Sequence, residues 1–231
     1  VIYRWRASRQ ERCDSGVVEA FENFKAWGRA PDYAVLHARW DGYLRRAKVG
    51  DRFYRPLRPR EGDDGLSDES RFAQSLLNTI ERLRAVGVQR FLLIGATAVL
   101  PMDAPSCVLR AMRYGKPLDR TCGVERSLHD LQVRVPNSIL ASIADGADDI
   151  EYLDPNELFC SSDFCHAAID MNSLYYDDDH LSDAAVAMLL RDAQDQFAWL
   201  MGYRVAQGPV HGGREEPARF ALGAAFRSHL D

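Results

Sequence analysis

The sequence predicts an α/β fold, a three-layer α/β/α sandwich around a parallel sheet, and three observations carry that expectation. First, apolar helical stripes and short apolar runs alternate along the chain in the order helix, strand, helix, strand, helix, strand, helix. Second, the run Phe91-Leu92-Leu93-Ile94 is apolar without alternation. A strand of that kind is covered on both faces, which requires helices on either side of the sheet. Third, 231 residues at 46% apolar and 27% charged are enough for one large domain with a substantial core.

Taken in order, Asp14 or Ser15 can cap a helix whose positions Val17, Phe21, Phe24 and Trp27 share a face, and Gly28 and Pro31 end it. Tyr33 to Ala38 reads as a short buried strand that runs into Arg39-Trp40-Asp41. An Arg-, Gly- and Pro-containing stretch to Gly65 reads as a long loop. Ser67 opens the next helix, with Phe72, Leu76, Ile80 and Leu83 in register and Gly87 beyond its last turn. Val88 to Gly95 is the central strand.

A turn-rich segment, Pro101 to Pro105, precedes Cys107 and a basic stretch to Cys122. A helix from about Val124, broken near Pro136 and resumed over Ile139 to Ala144, leads to a strand at Ile150 to Leu153. The final helix has Ser182 as its cap and runs to about Met201, with Val186, Leu189, Leu190, Ala193, Phe197 and Leu200 as its buried stripe. Residues 1–205 form the domain in this reading, and 206–231 form a weakly packed tail.

The chemistry concentrates in Leu174 to Asp183, where Asp177 and His180 stand three residues apart just before that helix. Spacing alone leaves three readings open. The run can be a solvated turn whose aspartates favour a helix N-terminus, a carboxylate-rich metal site, or an acid–base pair in which the carboxylate fixes the imidazole tautomer. The net charge of -5 offers no basic surface for nucleic acid, although Arg45-Arg46 and the arginines from Arg55 to Arg60 remain candidate anion contacts. The N-terminal residues lack the apolar core of a signal peptide, and no stretch reaches the roughly 18–20 apolar residues of a membrane helix.

Five cysteines lie at 13, 107, 122, 160 and 165, without the spacing of a zinc finger. Cys160 and Cys165 flank a Ser-Ser-Asp-Phe loop and Cys107 and Cys122 flank a second loop, so two local disulfides are expected, which places the domain outside the cytoplasm. Free buried thiols are the other reading. Cys13 is left to pair with a cysteine upstream.

Tyr175-Tyr176-Asp177-Asp178-Asp179-His180-Leu181-Ser182 resembles the last sequence block of the SGNH (GDSL-like) hydrolases, in particular the version fused to bacterial integral-membrane sugar O-acyltransferases. Asp32 to Trp40 with Tyr43, and Tyr152 to Pro155 followed by Cys160 to Cys165, fit the same version. The resemblance covers most of residues 13 to 200 and implies an SGNH/flavodoxin-like sandwich. It also implies a Ser-His-Asp triad in which His180 is the base and Asp177 its orienting carboxylate, with no cofactor and no metal. The implied partners are an acylated saccharide or polysaccharide acceptor and a membrane acyltransferase domain upstream. The implied location is the periplasm or the extracytoplasmic face of the bacterial inner membrane.

Two departures from the family pattern shape the expectation. No Gly-Asp-Ser nucleophile block occurs, and the nearest string, Cys13-Asp14-Ser15-Gly16, lacks a preceding apolar strand. Ser15 therefore reads first as a helix cap and only second as a nucleophile. In place of the Gly-x-Asn-Asp block stands Ala38-Arg39-Trp40-Asp41, so Arg39 and Trp40 are candidates for an oxyanion or substrate site, with packing at the sheet edge as the alternative for Trp40. The chain is expected to be the C-terminal portion of an O-acyl transferase or esterase domain, with its first strand and nucleophile upstream and little activity alone. A noncatalytic, degenerate carbohydrate-binding or partner-docking module is the competing class.

Overall fold

The structure, a computed structural model, describes residues 22, 23, 26, 31–44, 48, 49, 52, 53 and 66–203. Its centre is a parallel sheet of three strands, β1 (Tyr33–His37), β2 (Arg90–Ile94) and β3 (Ile150–Leu153), in that spatial order. The register pairs His37 with Ile94 and Ile94 with Leu153, so the C-terminal ends of all three strands lie level. Loops leaving one level edge can meet there, which is where open α/β sheets collect their sites.

The apolar run of β2 divides between two cores, as a strand covered on both faces must. Phe91 and Leu93 pack with Phe72, Leu76 and Ile80 of α1 (Asp68–Ala85) and with Val133 and Leu140 of α4 (Arg126–Asp145). Leu92 and Ile94 pack with Cys107, Val108 and Ala111 of α2 (Ala104–Arg113), and with Leu189 of α6 (Asp183–Asp192) and Leu200 of α7 (Gln194–Leu200). The period-two alternation of the strand thus builds a helix layer on each side, and the expected three-layer sandwich is the observed one. Two short helices, α3 (Leu118–Cys122) and α5 (Asn156–Phe159), complete the framework.

Several local expectations change. Strand β1 is not buried: Tyr33 and Val35 are exposed, because β1 is the edge of the sheet among the described residues. Within the long loop that follows, Lys48–Val49 pair antiparallel with Arg52–Phe53. Ala104 and Pro105 begin α2 instead of ending a turn; Pro is compatible with a first helical turn, where its missing N–H would have no partner anyway, and Asp103 caps the helix by accepting from the Ser106 amide at 3.0 Å.

Pro136 does not break α4, which continues through it to Asp145. The proline is buried, so the apolar surface it removes from water offsets the lost backbone bond. Val124 lies outside that helix, in a two-residue antiparallel ladder with Cys165. The last helix is two, because the chain leaves helical geometry at Ala193. Val186 and Leu190, each one position on from the buried Ala185 and Leu189, face outward, and Ala185, Leu189, Ala193 and Leu200 are the buried set.

Both expected disulfides are present, Cys107–Cys122 and Cys160–Cys165. They fasten α2 to α3 and close the loop after α5. Gly123 is required between them, since a Cβ there would lie 2.6 Å from the Cys165 carbonyl oxygen and 2.7 Å from that of Asp119. The helix expected over residues 14–27 falls mostly outside the described residues, with 22, 23 and 26 helical. Cys13, Ser15, the arginines at 45, 46 and 55–60, and the tail from 206 also lie outside them.

Candidate active site

The loop from Leu174 to Ser182 is held at both its base and its tip. At the base Leu174 and Tyr175 are fully buried, Tyr175 bridges Leu181, and the Ser182 amide donates to the Leu174 carbonyl at 2.9 Å. The Ser182 hydroxyl donates to the Ser173 carbonyl at 2.7 Å and accepts from the Ala185 amide at 3.2 Å, so it caps α6 and closes the loop together. At the tip the Tyr176 amide donates to the His180 carbonyl at 2.7 Å.

This pinched loop leans on the segment after β2. The amides of Leu100 and Ala104 donate to the carbonyls of Asp178 and Asp177 at 2.8 and 2.9 Å. Residues 95–100 are buried without regular structure, so their backbone needs other partners. Asn137 of α4 accepts from the Ala96 amide at 3.0 Å, and Asn156 of α5 donates to the Ala96 carbonyl at 2.9 Å. Gly95 fits because a Cβ would meet the Tyr152 hydroxyl at 2.7 Å. These two asparagines support the site from behind, and sequence reasoning passed over both. The signal was an Asn inside the apolar stripe of α4, and another directly after Asp154-Pro155.

Within the loop, the Asp177 carboxylate accepts from the amides of Asp179 and His180 at 2.9 and 2.8 Å through one oxygen. Its other oxygen faces Nδ1 of His180 at 2.8 Å. Asx-type turns of this kind let a short side chain order its own backbone. Burial pushes the Asp177 carboxyl upward, but the two amides and the imidazole outweigh it and hold its pKa below the usual value. The Asp177 hydrogen bond raises the pKa of His180, with the nearby charges of Asp179, Asp177 and Asp178 adding to it against some desolvation. With Nδ1–H pointed at carboxylate, Nε2 is left as the basic nitrogen. The His180 side chain is 76% exposed, open to a substrate.

The sequence candidates around the pair fare differently. Arg39 reaches the loop, its Nη1 donating to Asp179 at 2.5 Å. Trp40 does not: it is 1% exposed, packs edge-on against Phe72, and its Nε1–H donates to the Ile94 carbonyl at 2.7 Å. The indole N–H is committed to the sheet, which matches the packing alternative. His37, at the end of β1, sets Nδ1 3.4 Å from the same carbonyl. Though the residue is exposed at the sheet edge, desolvation of its ring keeps the pKa below the usual value against the pull of the Ile94 and Gly95 backbone, and a charged His180 lowers it further.

One oxygen each of Asp177 and Asp179 and a nitrogen of His180 lie within 4.8 Å of one another, so a cation can be drawn among them. Nδ1, however, is hydrogen-bonded to Asp177 at 2.8 Å and lies 2.9 Å from Asp179, and a cation bound at Nδ1 would have to replace that proton.

A parallel sheet covered on both faces, with an Asp-x-x-His pair anchored over the C-terminal ends of its strands, defines an α/β domain with an exposed imidazole at that edge. A family model described as an SGNH domain (fused to AT3 domains) matches residues 2–194, and the chain belongs to that family. Among solved structures, the periplasmic domain of the lipopolysaccharide acetyltransferase of Salmonella ser. Paratyphi A is similar at 16% identity and a TM-score of 0.44. The match covers 59% of this chain and 53% of the other, so the chain spans about half the length of that solved chain. No curated protein matches the sequence. No helix among the described residues is long and apolar enough to cross a membrane.

Proposed function

We propose that the chain is part of an acyl-transfer or esterase domain acting on O-acyl groups of cell-envelope polysaccharide, with His180 as general base and acid and Asp177 as its orienting carboxylate. The observation that carries this reading is the 2.8 Å contact between Asp177 and Nδ1 in a loop pinned over the strand ends. The attacking serine lies outside the described residues, upstream of the chain or, in second place, at Ser15. Membership of a family fused to AT3 domains supports a membrane acyltransferase domain as the partner, and the two disulfides support a location outside the cytoplasm. The domain occupies residues 1–205 in this proposal, with 206–231 as an appended tail.

In the first half-reaction Nε2 takes the serine proton as the serine oxygen bonds to the acyl carbon. The tetrahedral adduct then collapses, the donor oxygen leaves, and His180 returns the proton to it. In the second, Nε2 removes the proton of a sugar hydroxyl, or of water in an esterase. That oxygen takes the acyl group, and the serine departs with the proton. Throughout, Asp177 holds Nδ1–H and stabilises the imidazolium without itself becoming protonated.

The test uses a protein carrying the whole domain and a small activated acetate ester. Asp177→Asn should lower kcat by about four orders of magnitude, since it favours the wrong tautomer. Near-parental turnover in that variant would remove the assignment. Activity abolished by a chelator and restored by a divalent cation would assign the three side chains to a metal instead. Oligosaccharide binding with no turnover in any form would favour the docking module.

A further inference from the structure

Nδ1 of His180 has a second carboxylate neighbour that a triad does not require. Asp179 Oδ1 lies 2.9 Å from it, almost as near as Asp177 at 2.8 Å. The two carboxylates are held differently. Asp177 is fixed by amides of its own loop, whereas the other oxygen of Asp179 accepts from Nη1 of Arg39 at 2.5 Å, across 140 residues of sequence. Arg39 is itself placed from two sides. It follows β1 directly before the buried Trp40, and its Nε lies 3.5 Å from Asp41, whose other oxygen accepts from Gln132 of α4 at 2.5 Å. The side chains of Arg39, Asp41 and Asp179 are 18%, 4% and 13% exposed. Pairs so far withdrawn from water are less screened and more fixed in geometry than surface pairs.

We infer that Arg39 is a positioning residue for His180, holding the Asp179 carboxylate against Nδ1 so that the imidazole is gripped by two carboxylates, one set by its loop and one by the β1 edge. The inference rests on the acid–base reading of His180 only for its catalytic consequence. One hydrogen bond to Asp177 leaves the ring free to swing about that contact. A second carboxylate charge beside Nδ1 narrows the swing by electrostatic attraction and aims Nε2. Arg39 also offsets the charge of Asp179, which keeps two carboxylates from over-stabilising the protonated ring. The groups beside His180 are Asp177, Asp178 and Asp179 from its own loop, with Arg39 behind Asp179, and a charged His180 in turn lowers the pKa of His37 on β1.

The experiment is nuclear magnetic resonance of the imidazole nitrogens of His180 in the 231-residue chain, read across pH, for Arg39→Gln, Arg39→Lys and Asp179→Asn. Arg39→Gln should broaden the tautomer population of His180 at neutral pH, because Asp179 is no longer held against Nδ1. Asp179→Asn should broaden it likewise and lower the titration midpoint. Arg39→Lys should return the tautomer population toward that of the parent. An unchanged tautomer population in Arg39→Gln or in Asp179→Asn would overturn the inference. In a protein with the whole domain, Arg39→Gln should cost about tenfold to a hundredfold in kcat at unchanged KM, with recovery in Arg39→Lys. A rise in KM alone would make Arg39 a substrate contact instead. If the ring responds as described while the parent protein turns over no ester, the positioning stands and the proposed function falls.

Discussion

His180 and His129 carry the same ring in opposite settings. His180 sits on an exposed loop beside two carboxylates, and its pKa is raised, first of all by Asp177. His129 lies in α4, 1% exposed, with neither ring nitrogen making a hydrogen bond of ordinary geometry. Burial lowers its pKa, and the nearby Asn156 side chain opposes that only in part. The contrast shows that residue type says little about setting: a carboxylate and an open face fit one ring for the proton transfer proposed above, and dry packing encloses the other.

The most direct way to break that comparison is to remove each ring. His180→Ala should reduce ester turnover by three orders of magnitude or more while thermal unfolding changes little. His129→Ala should do the reverse, leaving the turnover of folded protein intact and lowering stability by about 2–4 kcal/mol through the cavity it opens. Ester assays and urea unfolding on the same two preparations decide it. Equal losses of activity would mean that His129 belongs to the site.

A subtler contrast lies in pH. The folded pKa of His129 is depressed, so its contribution to stability is present above the ordinary value of 6.5 and is lost as pH falls through 6.5 toward the folded value. The folded pKa of His180 is raised, so its contribution has the opposite sign, present below 6.5 and lost as pH rises through the folded value, and it is small because the side chain is exposed. Unfolding free energies at pH 5 and pH 7 should therefore differ less in His129→Leu than in the parent. For activity, the acid limb of kcat/KM should lie above pH 6.5, since the raised pKa keeps Nε2 protonated to higher pH.

The smallest effect sharpens the contrast between a fixed site loop and the turn that leads into it. Asp170 and Met171 join the paired segments Ala168–Ile169 and Asn172–Ser173 with φ of 47° and 68°, in the left-handed region. Met171 is exposed and contributes little packing there. Met171→Gly should raise stability by about 1 kcal/mol with activity unchanged, measured by thermal unfolding. A loss of stability would show that the methionine side chain packs in a way its exposure does not indicate.

What the sequence by itself determined was whatever depends on local periodicity and local spacing. The unalternating Phe91–Ile94 run fixed a strand with two covered faces, Ser67 and Ser182 marked helix starts, Cys160 and Cys165 announced a short bridge, and Asp177 and His180 stood three residues apart before a helix. Tertiary structure decided what depends on partners distant along the chain. Pro136 stays buried within an unbroken helix, and Val186 and Leu190 stand exposed on a helix that ends before Ala193. Trp40 spends its N–H on Ile94, 54 residues away, and Arg39 finds Asp179 at a separation of 140. The reason is physical: a hydrogen bond within a turn or helix is written in the spacing of its own residues, whereas a side chain's long-range partner is set by which strands lie side by side.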